Sequence, residues 1–240
     1  MSSVDFSLIL ACYNEGPTFN KSVEEIVNQL KKLRIKWEVI FVEDKSTDKT
    51  KIALTEIVKN IKNSKVIYHN KNMGRGRSVS DGIRASRGKI CGYLDVDCEI
   101  SPSYIPLFTN EVKNGYDIVV GKRFYEKGIK SLQRVIVSIL YALIVKAVLN
   151  IPIDDTEAGY KFFNRKAITK LLPAMKSSGW FWDTEICARS YYKGFRVSQI
   201  PVLFVRRTEK KSTVKLFSDS IDYAVNLYKF RKQMSKFKNG

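Results

Sequence analysis

The chain reads as a single α/β domain built on a mostly parallel central sheet flanked by helices. Three observations predict this. Apolar runs of strand length alternate with helix-period segments through the first 120 residues, the order that gives right-handed crossovers and parallel strands. Several of those runs are apolar without interruption, the pattern of strands covered on both faces. The unusual polar residues fall just after the runs, where ligands of such sheets bind.

Phe6–Cys12 is a buried strand pattern. Pro17 opens a helix whose apolar positions Val23, Ile26, Val27, Leu30 and Leu33 follow the helical period. Trp37–Val42 is the second strand, and a helix from about Asp48 carries Ile52, Ile57 and Val58 on one face. Lys65–Tyr68 is the third strand, about Gly74 to Ser86 the next helix, and Lys89–Leu94 the fourth strand. Ser101-Pro102-Ser103 starts another helix, and Asp117–Val120 is a further strand. The most apolar stretch, Val135–Ile153, is interrupted by Lys146 and Asn150. It falls short of the roughly 18 uninterrupted apolar residues of a membrane span, so it reads as a buried or interfacial helix.

The 240 residues carry 42 Lys and Arg against 24 Asp and Glu, a formal charge of +18. Hydrophobic residues at 44% and aromatics at 12% exclude a disordered chain. The charge surplus asks for an anionic partner: nucleic acid, an anionic membrane or a phosphorylated substrate. Nucleic acid is the least expected, because no helix-turn-helix, zinc-finger or RNA-binding aromatic motif appears. From Arg206 to Gly240 ten basic residues face three acidic ones, +7 over the tail. Leu216, Ile221, Ala224, Val225, Leu227, Tyr228 and Phe230 interleave there with Lys215, Lys229, Arg231 and Lys232. That is either a basic amphipathic helix lying on an anionic bilayer or a solvated tail packed on the core. Met1 to Asp5 shows no signal peptide. Cys12, Cys91, Cys98 and Cys187 form no C-x-x-C pair, and free buried thiols fit a reducing compartment. The expected location is cytoplasmic, with peripheral membrane contact.

Polar segments follow the strand ends at residues 13–16, 43–48, 70–77, 95–99 and 121–123. Asp95 and Asp97, two apart in an extended segment, point to one side. Together they suit a hard ion such as Mg²⁺ or Mn²⁺ shared with substrate phosphates, or else they are solvated acids at a turn; Glu99 is a candidate third ligand. After the second strand, Ser46 or Thr47 is placed to cap the next helix and Asp48 to sit in its first turn. Glu43 and Asp44 are left for contact with a ribose hydroxyl or base edge. Gly74-Arg75-Gly76-Arg77 opens a helix, either as an anion-binding N-terminus or as a flexible turn. It is not a dinucleotide fingerprint, since no G-x-G-x-x-G follows the first strand.

The order of these motifs resembles glycosyltransferase family 2, which implies the inverting GT-A nucleotide-diphospho-sugar transferase fold. Tyr13-Asn14-Glu15 resembles the family's P-x-Y-N-E, and the segment from Val42 to Asp48 its V-D-D-G-S-T-D. Asn72, Gly74 and Gly76 resemble its N-x-G-x-G, and Asp95-Val96-Asp97 its metal-binding D-x-D. Within the family the likeness is to polyprenyl-phosphate hexose synthases of the dolichol-phosphate mannose and glucose type. Val120–Arg123 resembles V-x-G-S-R, Asp155–Phe163 resembles D-T-Q-x-G-F-K-x-F, and Trp182–Glu185 with Gly194 and Ile200-Pro201 resembles F-D-x-E…G…V-x-E-I-P. Ala11 replaces a usual Pro, Gln199 a usual Glu, and Lys45 a usual Gly, which argues against a left-handed turn there. Arg206, Arg207, Lys211 and Ser212 only loosely follow the family's R-x-x-G-x-S-K.

The resemblance implies residues 1–205 as catalytic domain, with 1–123 the nucleotide-sugar and metal half and 124–205 the acceptor half. Residues 206–240 form the membrane-facing tail. It implies transfer of a hexose from GDP-mannose or UDP-glucose to a polyprenyl phosphate, with Mg²⁺ or Mn²⁺ on Asp95, Asp97 and Glu99. Tyr13, Glu15, Glu43, Asp44, Gly74, Gly76 and Asp95 would bind the nucleotide sugar. Arg123, Arg206, Arg207, Lys211 and Ser212 would hold phosphate, and Asp97, Arg123, Asp183 and Glu185 are the catalytic candidates. A phosphate acceptor is already ionised near neutral pH and needs no base. A glycan or protein acceptor, the alternative, would need one, with Asp183 or Glu185 the candidate; otherwise Asp183 caps a helix and Glu185 sits in its first turn. A membrane-anchoring partner subunit is compatible with this arrangement.

Overall fold

The structure is a computed structural model that describes residues 4–125, 132–207 and 216–238. Its chain order is β1 (Phe6–Cys12), α1 (Phe19–Lys32), β2 (Trp37–Glu43), α2 (Thr50–Lys59), β3 (Ser64–Tyr68), α3 (Arg75–Ala85) and β4 (Ile90–Leu94). A short 3₁₀ turn leads into α4 (Ile105–Lys113), then β5 (Ile118–Tyr125), α5 (Leu132–Leu149), β6 (Tyr160–Asn164), α6 (Arg165–Ile168), α7 (Trp182–Tyr192), β7 (Val197–Phe204) and α8 (Leu216–Lys238). The seven strands form one sheet in the order β3-β2-β1-β4-β6-β5-β7. The alternating apolar runs became parallel β1–β4, with Leu8 opposite Val39 and Val42 opposite Ile67. β6 alone runs antiparallel, setting Lys161 opposite both Tyr93 and Val120.

Each sheet face is covered by its own core. One cluster joins Leu8, Leu10, Val39 and Phe41 to Leu30 of α1 and Phe108 of α4. The other joins Ile9, Ile40 and Tyr93 to Ile83 of α3, Ile186 of α7, and Leu227 and Phe230 of α8. The tail helix therefore packs on the domain through Leu227 and Phe230, where Phe230 meets Phe181 edge-on at 5.9 Å between ring centroids. All four cysteines are buried thiols outside any disulfide. Burial pushes the Cys91, Cys98 and Cys187 thiols up to about 12, which leaves them inert.

Chain order reverses between β1 and β4, so a crevice opens at their carboxyl ends. The expected polar loops therefore share one edge. The apolar segment expected as buried or interfacial becomes α5, which Asn150 closes with φ +49. Among the described side chains of this helix, residues 136–149, Val145 and Leu149 are fully buried, whereas Ile139, Leu140, Leu143 and Ile144 are 49–59% exposed. No helix among the described residues is long and apolar enough to cross a membrane.

Candidate active site

The loops after β1 and β2 are stitched into one rim. Asn14 Oδ1 accepts from Thr47 N at 2.8 Å, while Asn14 N donates to Ser46 Oγ at 3.1 Å. Glu15 N donates to Thr50 Oγ1 at 2.8 Å, and Gly16 N to Asp48 Oδ2 at 3.2 Å. The expected caps are corrected by these bonds. Ser46 and Thr47 serve Asn14, and Asp48 lies ahead of α2, where Oδ1 accepts Thr50 N at 2.9 Å. The turn also corrects the expectation at Lys45, which adopts φ +63. The strain of a left-handed non-glycine residue is offset because Ser46 N donates to Glu43 Oε1 at 2.6 Å. Glu43 is thereby turned inward and does not line the cavity.

Asp44 does line it. Its Oδ1 accepts Met73 N at 2.7 Å and lies 2.7 Å from His69 Nδ1, and its Oδ2 accepts Gly74 N at 2.8 Å. Those bonds use amides that an anion at the start of α3 would need. The glycines there make room for protein. A Cβ on Gly74 would lie 2.6 Å from Ser178 O, and one on Gly76 2.3 Å from Trp182 Cβ. Arg77 N donates to the same Ser178 O at 3.0 Å. Gly74 faces the cavity and Gly76 packs under α7.

The acidic loop follows β4. Asp95 Oδ1 accepts Arg75 Nε at 2.9 Å and Nη2 at 2.6 Å. Asp97 Oδ1 accepts Glu99 N at 3.2 Å. Glu99 accepts Arg207 N at 3.3 Å and pairs with Arg206 Nε at 3.4 Å, so its carboxylate tethers the segment after β7. Burial first, and repulsion by Asp97 second, push Glu99 up to about 7. Among the described residues no three Asp, Glu, His or Cys cluster as a metal cage. Asp95 and Asp97 with their all-oxygen donors fit a hard divalent ion that completes its shell with substrate oxygens; Glu99 lines the same cavity, with its Oε1 held by the Arg206–Arg207 segment.

Behind this loop lies a buried charge network. Asp183 Oδ1 accepts Lys161 Nζ at 2.7 Å and the Tyr93 hydroxyl, and its Oδ2 accepts Arg75 Nη1. Burial alone would lower Arg75, but Asp183 and Asp95 outweigh it and hold the guanidinium well above its ordinary value. Asp183 is not the helix cap that sequence suggests; Phe181 holds that position and Asp183 lies in the first turn. Glu185 accepts Lys176 N at 3.0 Å, Ser177 N at 2.8 Å and Arg189 Nε at 2.8 Å. Neither carboxylate lines the cavity, and both are fully committed in buried bonds.

Arg123, from β5, lines the cavity with its guanidinium on Asp155, Nε at 2.7 Å and Nη2 at 2.9 Å. Burial would raise Asp155, but the Arg123 charge and hydrogen bonds hold it below its ordinary value. Tyr13, Glu15, Asp44, Asp95, Asp97, Arg206 and Arg207 join it around a cavity of about 900 Å³. The cavity continues into an apolar trough between α5 and α8, walled by Val137, Leu140, Tyr141, Ile144, Tyr223 and Leu227. Within that lining Tyr141 and Tyr223 meet edge-on at 4.8 Å between centroids. Lys211 and Ser212 lie outside the described residues. Sequence reasoning missed Lys161, His69 and Trp180. Lys161 had a signal, since a lysine inside a strand pattern of Tyr160–Phe163 needs a buried partner; the other two had none.

The profile of glycosyl transferase family 2 matches residues 7–172. The chain belongs to glycosyl transferase family 2. Its sheet and flanking helices are those of the GT-A fold. Among curated relatives of this family 2 chain, the dolichyl-phosphate beta-glucosyltransferase ALG5A of Trichomonas vaginalis is 30% identical over 213 residues, 84% of this chain and 66% of that protein. The dolichyl-phosphate beta-glucosyltransferase of Saccharomyces cerevisiae is 27% identical over 92% of this chain and 72% of its own length. Glycosyltransferase AglD of Haloferax volcanii is 28% identical over 84% of this chain, which spans only 33% of AglD. A glucosyl-3-phosphoglycerate synthase from Mycobacterium tuberculosis, solved with Mn²⁺, uridine diphosphate and glucosyl-3-phosphoglycerate, superposes with TM-score 0.72 at 19% identity, covering 95% of this chain and 80% of that one.

Proposed function

We propose that this family 2 transferase moves glucose from UDP-glucose to a polyprenyl phosphate while resting on the cytoplasmic face of a membrane. The observation that carries the reading is the composition of the cavity, with a cationic and carboxylate-rich end leading directly into an apolar trough. A nucleotide sugar and a lipid phosphate divide in the same way. Names of relatives favour glucose and a dolichyl phosphate acceptor. The solved relatives were crystallised with Mn²⁺ or Mg²⁺ and UDP.

In this reading Tyr13, Glu15 and Asp44 meet the nucleoside, and Arg123, Arg206 and Arg207 hold phosphate oxygens, for which guanidinium offers paired donors. A divalent ion on Asp95 and Asp97 would neutralise charge on the departing diphosphate. The acceptor phosphate oxygen bonds to the anomeric carbon from the side opposite the leaving group as the carbon–oxygen bond to UDP breaks, so the centre inverts. No proton is removed, which agrees with Asp183 and Glu185 being tied into buried pairs. A glycan or protein hydroxyl would require one of them free. The exposed apolar residues of α5, with Ile221, Val225 and Tyr228 of α8, are suited to a bilayer surface beside the basic tail. Purified protein given radiolabelled UDP-glucose, Mn²⁺ and detergent-dispersed polyprenyl phosphate is expected to move label into the organic phase. Label that stays aqueous while UDP is released would refute the acceptor.

A further inference from the structure

We infer that Trp180 is the platform of the donor-sugar subsite, its indole packing against the C–H face of the transferred hexose. The inference rests on the reading that the cavity takes a nucleotide sugar. Three consecutive aromatic residues lead into α7, and two of them are structural. Phe181 is 4% exposed and Trp182 0%, with Trp182 Nε1 donating to Ser80 Oγ at 2.8 Å. Trp180 is the exception, only partly buried and lining the cavity beside Gly179. Nothing in either core requires an indole there.

The platform is fixed from several sides. Lys176 N and Ser177 N donate to Glu185, Arg77 N donates to Ser178 O at 3.0 Å, and Asp183 N donates to Trp180 O at 3.3 Å. The Arg75 guanidinium carbon stands 5.4 Å from the Trp180 ring centroid while its nitrogens hold Asp95 and Asp183. The ring is thus one residue removed from the D-x-D carboxylate. The rim of Tyr13, Asp44 and Asn72, proposed here for the nucleoside, is built from the loops after β1–β3, whereas the Trp180 ring comes from the loop before α7.

An aromatic plane next to a carboxylate and a guanidinium matches a ligand with an apolar face and a polar edge. A hexopyranose ring has that form, its C–H groups on the face and its hydroxyls around the edge. A nucleobase also stacks, so binding of the nucleotide alone is the control that tells the two apart. The platform therefore separates binding of the nucleotide sugar from binding of the nucleotide alone.

Calorimetric titration of wild type, Trp180→Phe and Trp180→Ala with UDP and with UDP-glucose, each with Mn²⁺, tests this. For Trp180→Ala, affinity for UDP-glucose is expected to fall about fivefold to tenfold while affinity for UDP stays within twofold; Trp180→Phe retains most of the wild-type preference. Equal weakening of both ligands, or no change in either, overturns the inference. A rise in KM for the lipid phosphate alone would place Trp180 at the acceptor and also overturn it. Should wild type bind GDP-mannose instead of UDP-glucose, the donor reading fails, and the same ratio is taken with GDP-mannose against GDP.

Discussion

At the scale of single residues, the site depends on how tightly its carboxylates are held. Gly159 shows this: a Cβ there would lie 1.8 Å from Asp95 Oδ2. Gly159→Ala is therefore expected to displace Asp95 and lower kcat/KM at least about a hundredfold, the scale of losing one preorganised electrostatic group, with a far smaller change in Tm than in rate. Lys161 is the counterpart for stability. It is fully buried against Asp183, and removing one partner of a buried pair costs about 3–5 kcal/mol. Lys161→Met should lose that much in urea denaturation. The D-x-D carboxylates were legible because polar residues at the end of an apolar strand are conspicuous. Gly159 and Asp183 acquire their roles from residues far away in sequence, Asp95 in one case and Tyr93 with Arg75 in the other, and no local pattern announces such pairings. Lys45 was misjudged in part for the same reason: its left-handed turn is held locally by Glu43 but also by the distant Asn14.

At the scale of elements, β1 to β4 and α1 to α4 follow from periodicity because each is a regular segment of ordinary length, whereas β5 runs on past Val120 to Tyr125 and takes residues 121–123, expected after the strand, into it. β6 is different: it is short, antiparallel and preceded by the loop that carries Asp155, so its period is hidden by Lys161 pointing inward. The sense of α3 also changed. Its glycines admit the Ser178–Trp182 segment rather than a phosphate, a close approach that resembles a ligand turn in sequence. For α5, sequence left burial and interface open, and half-exposed Leu140 and Leu143 favour an interface. Leu143→Glu, which alters an exposed position, is expected to leave Tm within about 2 °C but cut sedimentation with vesicles containing anionic lipid at least fivefold. Unchanged sedimentation would remove α5 from the membrane contact.

At the scale of the whole molecule, the proposed function divides the +18 charge between phosphates held in the cavity and an anionic membrane surface. Buried acids set the response to pH. Asp155 and Glu38 are both held below their ordinary values, in each case against burial: Asp155 by Arg123, and Glu38 by Ser7 and Arg87. A depressed carboxylate contributes stability that is fully present above its unfolded value, near 4, and is lost as pH falls through the lower folded value. These two groups make Tm drop steeply from about pH 5 toward pH 3, whereas Glu99, raised to about 7, adds stability as pH falls from 7 toward 5. Asp155→Asn should lower Tm at pH 7 and flatten that drop; an unaltered slope would show that the Arg123 pair does not govern it. Competition between two phosphates decides which acceptor the cavity prefers. Wild-type protein with UDP-glucose and Mn²⁺ is given polyprenyl phosphate and 3-phosphoglycerate together at equal concentration. Glucose is predicted to appear almost entirely on the lipid, and preferential formation of the water-soluble product would contradict the account.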